Sequence, residues 1–332
     1  MTIITTWSSP PPGFRDQASR LRAMVNATDR PAPGAESQPA AAAPPAPAAA
    51  PLPPRRVWTI AIASGKGGVG KTNLAVNLGL ALADAGVNTT LLDGDLGLAN
   101  ADLLLGLRAG PHLGDVLTGA RTLDQICVRV TPRLTLVPGA SGIAHLSDLD
   151  QRRRQILGLV VERLEMRSQA LVLDCGAGIG SGVMSLVGCA DQSLIVTTPE
   201  PTAIADAYAL IKCVLAAREP AQRPAPRLSL LVNQAANQEE GRRVHARIAA
   251  VCDRFLGYPL ELAGVIEHDD RVRAAVRERR PFLAASPKSS AARAVRTLCG
   301  SLIQQMGGAP APTPSGGGSL SKLLRAMGMT RS

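Results

Sequence analysis

Between residues 57 and 306, apolar positions recur in two rhythms. Short aliphatic and β-branched runs at Val57–Ile62, Thr89–Leu92, Leu134–Val137, Ala170–Leu173, Leu194–Thr197, Leu228–Val232 and Leu262–Ile266 have the length and make-up of buried strands. Between most of them the spacing becomes helical, over 148–166, 202–217 and 239–255. It is also helical at Leu74, Leu78, Ala81 and Leu82, with Gly86 as the stop. This alternation predicts an α/β domain of three layers, with a mostly parallel central sheet flanked by helices. No repeat of fixed period is evident.

Both ends depart from the pattern. Residues 1–30 form a short segment in which Asp16-Gln17-Ala18-Ser19-Arg20-Leu21-Arg22 suits a brief helix. Residues 31–54 are almost entirely Pro and Ala, which makes an extended, semi-stiff linker reaching several tens of Å at ~3.1 Å per residue. The globular body is expected over 55–306, followed by a Gly/Pro/Ser linker over 307–318. In 319–332, Leu320, Leu323, Leu324 and Met327 fall at i, i+3, i+4 and i+7 with Lys322 and Arg325 beside them. That is the pattern of an amphipathic membrane-targeting helix, or of a helix docked on the body.

Composition narrows the picture. The chain has 332 residues, 45% of them hydrophobic, which is ample for one sizeable core. Only 2% are aromatic, so Leu, Val, Ile and Ala must fill that core. No apolar run is long enough to span a bilayer, and Met1–Ser9 has no signal-peptide pattern. Six scattered cysteines without a Cys-x-x-Cys pair read as reduced thiols in the cytosol. The net charge of +10 favours anionic partners, nucleic acid or an acidic membrane surface, without choosing between them.

The chemistry centres on Gly65-Lys66-Gly67-Gly68-Val69-Gly70-Lys71-Thr72, which lies between the first strand and the first helix. Strand, glycine loop and helix in this order form a P-loop, the phosphate cradle of the P-loop NTPase fold. The glycines let backbone N–H groups approach phosphate oxygens, Lys71 places charge on the β/γ-phosphates, and the Thr72 hydroxyl suits Mg²⁺. Gly65 through Asn73 are the expected nucleotide contacts. Three strand ends complete the site. Asp93 and Asp95, at i and i+2, are candidates for the Mg²⁺ surroundings and for orienting the attacking water. Asp174 ends an apolar strand, as a Mg²⁺-holding Walker-B Asp does. Asn233 follows a buried strand and suits a purine edge; Ala236 stands where a guanine-reading Asp would be, which favours ATP over GTP.

These residues resemble a known family. The paired lysines Lys66 and Lys71 in Lys-Gly-Gly-Val-Gly-Lys-Thr are similar to the deviant Walker A of the MinD/ParA class of P-loop ATPases. The stretch from Asp93 to Asn100 resembles a narrower branch, the FlhG/FleN regulators of flagellar number and placement. Val137–Gly142, Glu200–Lys212 and Asp269–Val276 extend the likeness over essentially all of 57–306. Asp16, Gln17, Ala18, Leu21 and Arg22 resemble that family's activating motif for the SRP-type GTPase FlhF. Two departures stand out. Gly94 replaces the usual Ala between the two aspartates, and Cys175-Gly176 replaces Thr-Ala after Asp174. The extra glycines imply looser switch loops.

The resemblance implies an ATPase using ATP and Mg²⁺, with Lys66 reaching across a homodimer to the partner's phosphates. It implies Asp95 as the residue positioning water, with Asp93 and Asp174 near the metal. It also implies peripheral, polar attachment to the cytoplasmic face of an anionic inner membrane, and as partners an FlhF-type GTPase, a flagellar transcription factor or switch-complex proteins. A ParA-type DNA- or cargo-partitioning ATPase shares the loop and the dimer, but specific DNA binding is not expected. A metal-cluster carrier would need placed cysteine ligands.

Overall fold

The strand-like runs pair edge to edge because each is apolar on both faces and must be covered on both. The computed structural model describes residues 57–95, 99–139, 150–217 and 227–308. β1 (Trp58–Ser64) leads through the glycine loop into α1 (Lys71–Asp84), and Gly86 turns the chain with a left-handed φ of 91° toward β2 (Thr89–Gly94). Three short helices follow, α2 (Ala101–Leu104), α3 (Leu113–Leu117) and α4 (Leu123–Ile126), before the hairpin β3 (Val128–Thr131) and β4 (Leu134–Val137). Then come α5 (Gln151–Arg167), β5 (Ala170–Ala177), α6 (Ser181–Cys189), β6 (Gln192–Thr197) and α7 (Pro201–Ala216). The chain finishes with β7 (Arg227–Ala235), α8 (Gln238–Leu256), β8 (Glu261–Glu267), α9 (Asp270–Arg277), α10 (Phe282–Ala285) and α11 (Ser290–Gly308).

The sheet order is β3-β4-β2-β5-β1-β6-β7-β8, parallel throughout except for the β3–β4 pair. Its two faces follow the period of two. Ala61, Ala63, Leu171 and Leu173 face a core shared with α3 to α8, whereas Ile60, Ile62, Ala170 and Val172 face one shared with α1, α10 and α11. The expected three-layer α/β architecture is therefore observed.

β3 did not show in the hydrophobic pattern, because at the sheet edge three of its four residues are half-buried and Arg129 is exposed. α11 runs through Gly308, two residues into the stretch expected to be linker. The expected segments 1–30 and 31–54, with Asp16, Gln17, Ala18, Leu21 and Arg22, lie outside the described residues, as do Leu320, Leu323, Leu324 and Met327. No described helix is long and apolar enough to cross a membrane.

Candidate functional site

Strand order reverses around β1: the chain moves from β1 to β2 on one side, and later from β5 to β6 across it. Such a reversal leaves a crevice at the strands' C-terminal ends. The loop Gly65–Gly70 opens there. Gly68 (φ 79°) and Gly70 (φ 94°) adopt left-handed conformations that glycine takes without strain. Turns of this kind present successive N–H groups to an anion, and the N-terminus of α1 faces the same space.

The inner end of the loop is closed in by protein. Lys71 is only 8% exposed. Burial pulls its pKa below that of an ordinary lysine, and the negative charges of Asp174 and Asp95 partly restore it. Asp174 sits beside Asp93, its register partner across the β2–β5 pairing, and each is 1% exposed. The two carboxylates are satisfied differently. Asp93 accepts from the amides of Asp95 (3.2 Å), Asn100 (3.0 Å) and Ala101 (3.1 Å), so its oxygens hold the turn after β2. Burial raises its pKa to about 6 against these favourable bonds.

Among the described residues, Asp174 has no hydrogen-bond partner at either oxygen. Burial, and then the neighbouring Asp93 charge, push its pKa to about 8. The Thr72 hydroxyl is close enough to lower it but does not reach hydrogen-bond geometry. A buried carboxylate without a partner next to a hydroxyl is a fitting place for a hard cation. The residues present therefore suit Mg²⁺ at Asp174 and Thr72, with Asp93 as the support beneath them.

Asp95 is half-buried at the rim, and a Cβ built on Gly176 would lie 3.7 Å from its Cγ. Gly178, after β5, donates its N–H to the Ser64 carbonyl at 2.9 Å, so the switch loop is tied to the end of β1. Asn233 was expected at a purine edge. Its Nδ2 donates to the Val69 carbonyl (2.8 Å) and braces the P-loop from β7. Gly94 also differs from the expectation of a loosened loop. A Cβ there would come within 2.9 Å of Leu186 and 3.0 Å of the Asp174 carbonyl, so Leu186 fills the space an alanine methyl would need. Gly176 does have room around it.

The outer end of the loop is attached to α7. A Cβ on Gly65 would stand 2.1 Å from the Asp206 carbonyl oxygen, so only glycine permits this approach. Lys66 turns to α7: its Nζ donates to Glu200 (2.6 Å) and to the Thr202 hydroxyl (2.9 Å), at the start of that helix. Its side chain is 38% exposed. The sequence alone gives Glu200-Pro201-Thr202 no role beyond the family likeness. The signal was their place just past a strand end, level with the loop.

Comparisons with known proteins agree with this geometry. The family described as CobQ/CobB/MinD/ParA nucleotide binding domain matches residues 60–282. The chain is 40% identical over 242 residues to the antiactivator FleN of Pseudomonas aeruginosa, covering 73% of this chain and 85% of FleN. It is 31% identical to the flagellum site-determining protein YlxH of Helicobacter pylori, covering 74% and 82%. Among solved structures, the septum site-determining protein MinD of Pyrococcus horikoshii complexed with Mg-ADP superposes with a TM-score of 0.61 at 26% identity, covering 76% of this chain and 98% of that one. The chain belongs to the MinD/ParA class of P-loop ATPases, in its FleN/YlxH branch. It is an ATPase whose ligands are ATP and Mg²⁺.

Proposed function

From that membership we propose that this chain is an ATP-dependent dimerising regulator of flagellar number and placement, which associates peripherally with an anionic membrane and acts with an FlhF-type GTPase. The observation that carries the reading is the separation of the two loop lysines. Lys71 is enclosed at the phosphate end, while Lys66 rests on Glu200 and Thr202 with its side chain 38% exposed.

In this reading the P-loop amides and Lys71 orient the triphosphate and hold its charge. Mg²⁺, when bound by Thr72 and Asp174, neutralises charge on the β- and γ-phosphates. Asp95 orients a water whose oxygen attacks the γ-phosphorus. The bond from that phosphorus to the β–γ bridging oxygen breaks, ADP leaves with the electron pair, and the water's proton passes to solvent. Lys66 leaves Glu200 to pair with the partner's phosphates, so the dimer persists only while those phosphates do. FleN and YlxH, by their names an antiactivator and a flagellum site-determining protein, support the flagellar assignment. Segment 319–332 would be the lipid contact, and Asp16–Arg22 the contact with the GTPase.

ATP turnover measured with and without anionic vesicles and the FlhF-type GTPase tests the reading. Stimulation by vesicles and acceleration of the GTPase are expected; no response to either contradicts it. A DNA-partitioning role is favoured by one observation. From Arg271 to Arg296 eight exposed basic residues face three acids, Asp269, Asp270 and Glu278. An ATP-dependent mobility shift of non-specific duplex at physiological salt would select that reading instead.

A further inference from the structure

We propose that the last turns of α8, with Phe255 at their centre, form a second lipid contact that orients the ATPase body on an anionic membrane. This rests on the reading that segment 319–332 engages lipid. The chain has three phenylalanines in all, and one of them, Phe255, is 65% exposed. Val251, one turn earlier on the same face, is 37% exposed. The Arg254 guanidinium lies 5.4 Å from the Phe255 ring centroid, and Arg247 continues the stripe. Apolar side chains flanked by arginines suit the boundary between headgroups and acyl chains.

The topology places this patch where it can act with the segment after Gly308. α8 starts beyond the end of β7 and stops just before β8 begins, so its last turn lies at the end of the sheet opposite the P-loop. α11 starts near the P-loop end, where Ser290 Oγ donates to Asp269 at 3.1 Å. It then runs back along β8 and α1, bringing Cys299 into the electrostatic reach of Asp84, the last residue of α1. Gly308 therefore lies at the same end as Phe255, and the ten residues 309–318 span at most about 35 Å. Residues 309–332 contain Lys322, Arg325 and Arg331 and no acid. Laying that cationic segment on an arginine-flanked face would bring like charges together. An anionic lipid surface attracts both, and Asp253 and Glu261 are the nearby acids it must tolerate.

The test is flotation of the full chain with ATP on phosphatidylglycerol–phosphatidylcholine vesicles. Val251→Ala with Phe255→Ala is expected to weaken binding about tenfold, since two partly inserted side chains are lost while 319–332 is intact. Phe255→Trp is expected to show a blue-shifted emission on these vesicles and none on phosphatidylcholine alone. If the wild type binds and loses binding on deletion of 319–332, yet the double variant binds equally and Phe255→Trp shows no shift, this proposal alone is overturned. A shift that needs an added protein partner and no lipid also overturns it, by assigning the patch to that partner. If the wild type binds no vesicles, the membrane reading fails and this contact with it.

Discussion

The two ends of the P-loop are built on opposite principles. At the inner end, Lys71 and Asp174 are buried and Thr72 is half-buried, and Asp174 has two buried oxygens that find no hydrogen-bond partner among the described residues. At the outer end, Lys66 has two partners, but its ion pair with Glu200 is solvent-exposed, with side chains 38% and 63% accessible. Pairs of that kind contribute about 0.2–1 kcal/mol. The inner end is costly to assemble and is completed by a ligand. The outer end is cheap to undo. One short loop thus carries an enclosed lysine and a half-exposed one, the difference on which the proposed dimer switch rests.

The comparison can be broken at either end. The largest effect is expected from Asp174→Asn, which removes the carboxyl that has no hydrogen-bond partner among the described residues at the inner end. Mg²⁺-dependent nucleotide affinity should fall by about 100-fold, measured by calorimetry with and without Mg²⁺. Equal affinity would show that Asp174 does not serve the metal. Next is Asp95→Ala at the rim, expected to bind ATP normally and hydrolyse it about 100-fold more slowly, leaving the dimer long-lived. Unchanged single-turnover hydrolysis would remove Asp95 from the water-positioning role. The smallest effect belongs to Glu200→Gln. Releasing Lys66 from an exposed pair should lower the ATP concentration at half-maximal dimerisation by at most about fivefold. A shift in the opposite direction would mean that Glu200 assists the dimer.

Much of this was legible in the chain, for reasons that differ by region. β1, the loop and α1 announced themselves because a phosphate cradle needs glycine, lysine and threonine at fixed spacing, between a strand and a helix. Asp93 and Asp174 were visible as strand ends, but not their unequal surroundings. Three backbone amides from residues up to eight positions away satisfy Asp93, and none among the described residues reaches Asp174. Those amides carry no sequence signature. Gly94 looked like added freedom when read alone and became a packing constraint once Leu186, from α6, came beside it. Asn233 turned toward Val69 for the same reason: residues 164 positions apart meet only through the sheet order. Lys66 was readable as the distinctive residue, whereas its resting partners Glu200 and Thr202 depend on how α7 packs against Gly65.

The central claim is that the outer lysine converts bound ATP into a dimer while the inner lysine holds the nucleotide. Light scattering of the wild type and of Lys66→Ala, each with Mg²⁺ and ATP and again with ADP, tests it most directly. The account predicts a dimer for the wild type with ATP alone, and a monomer for Lys66→Ala under both conditions despite near-normal ATP binding. Equal dimer for the two proteins with ATP would contradict it.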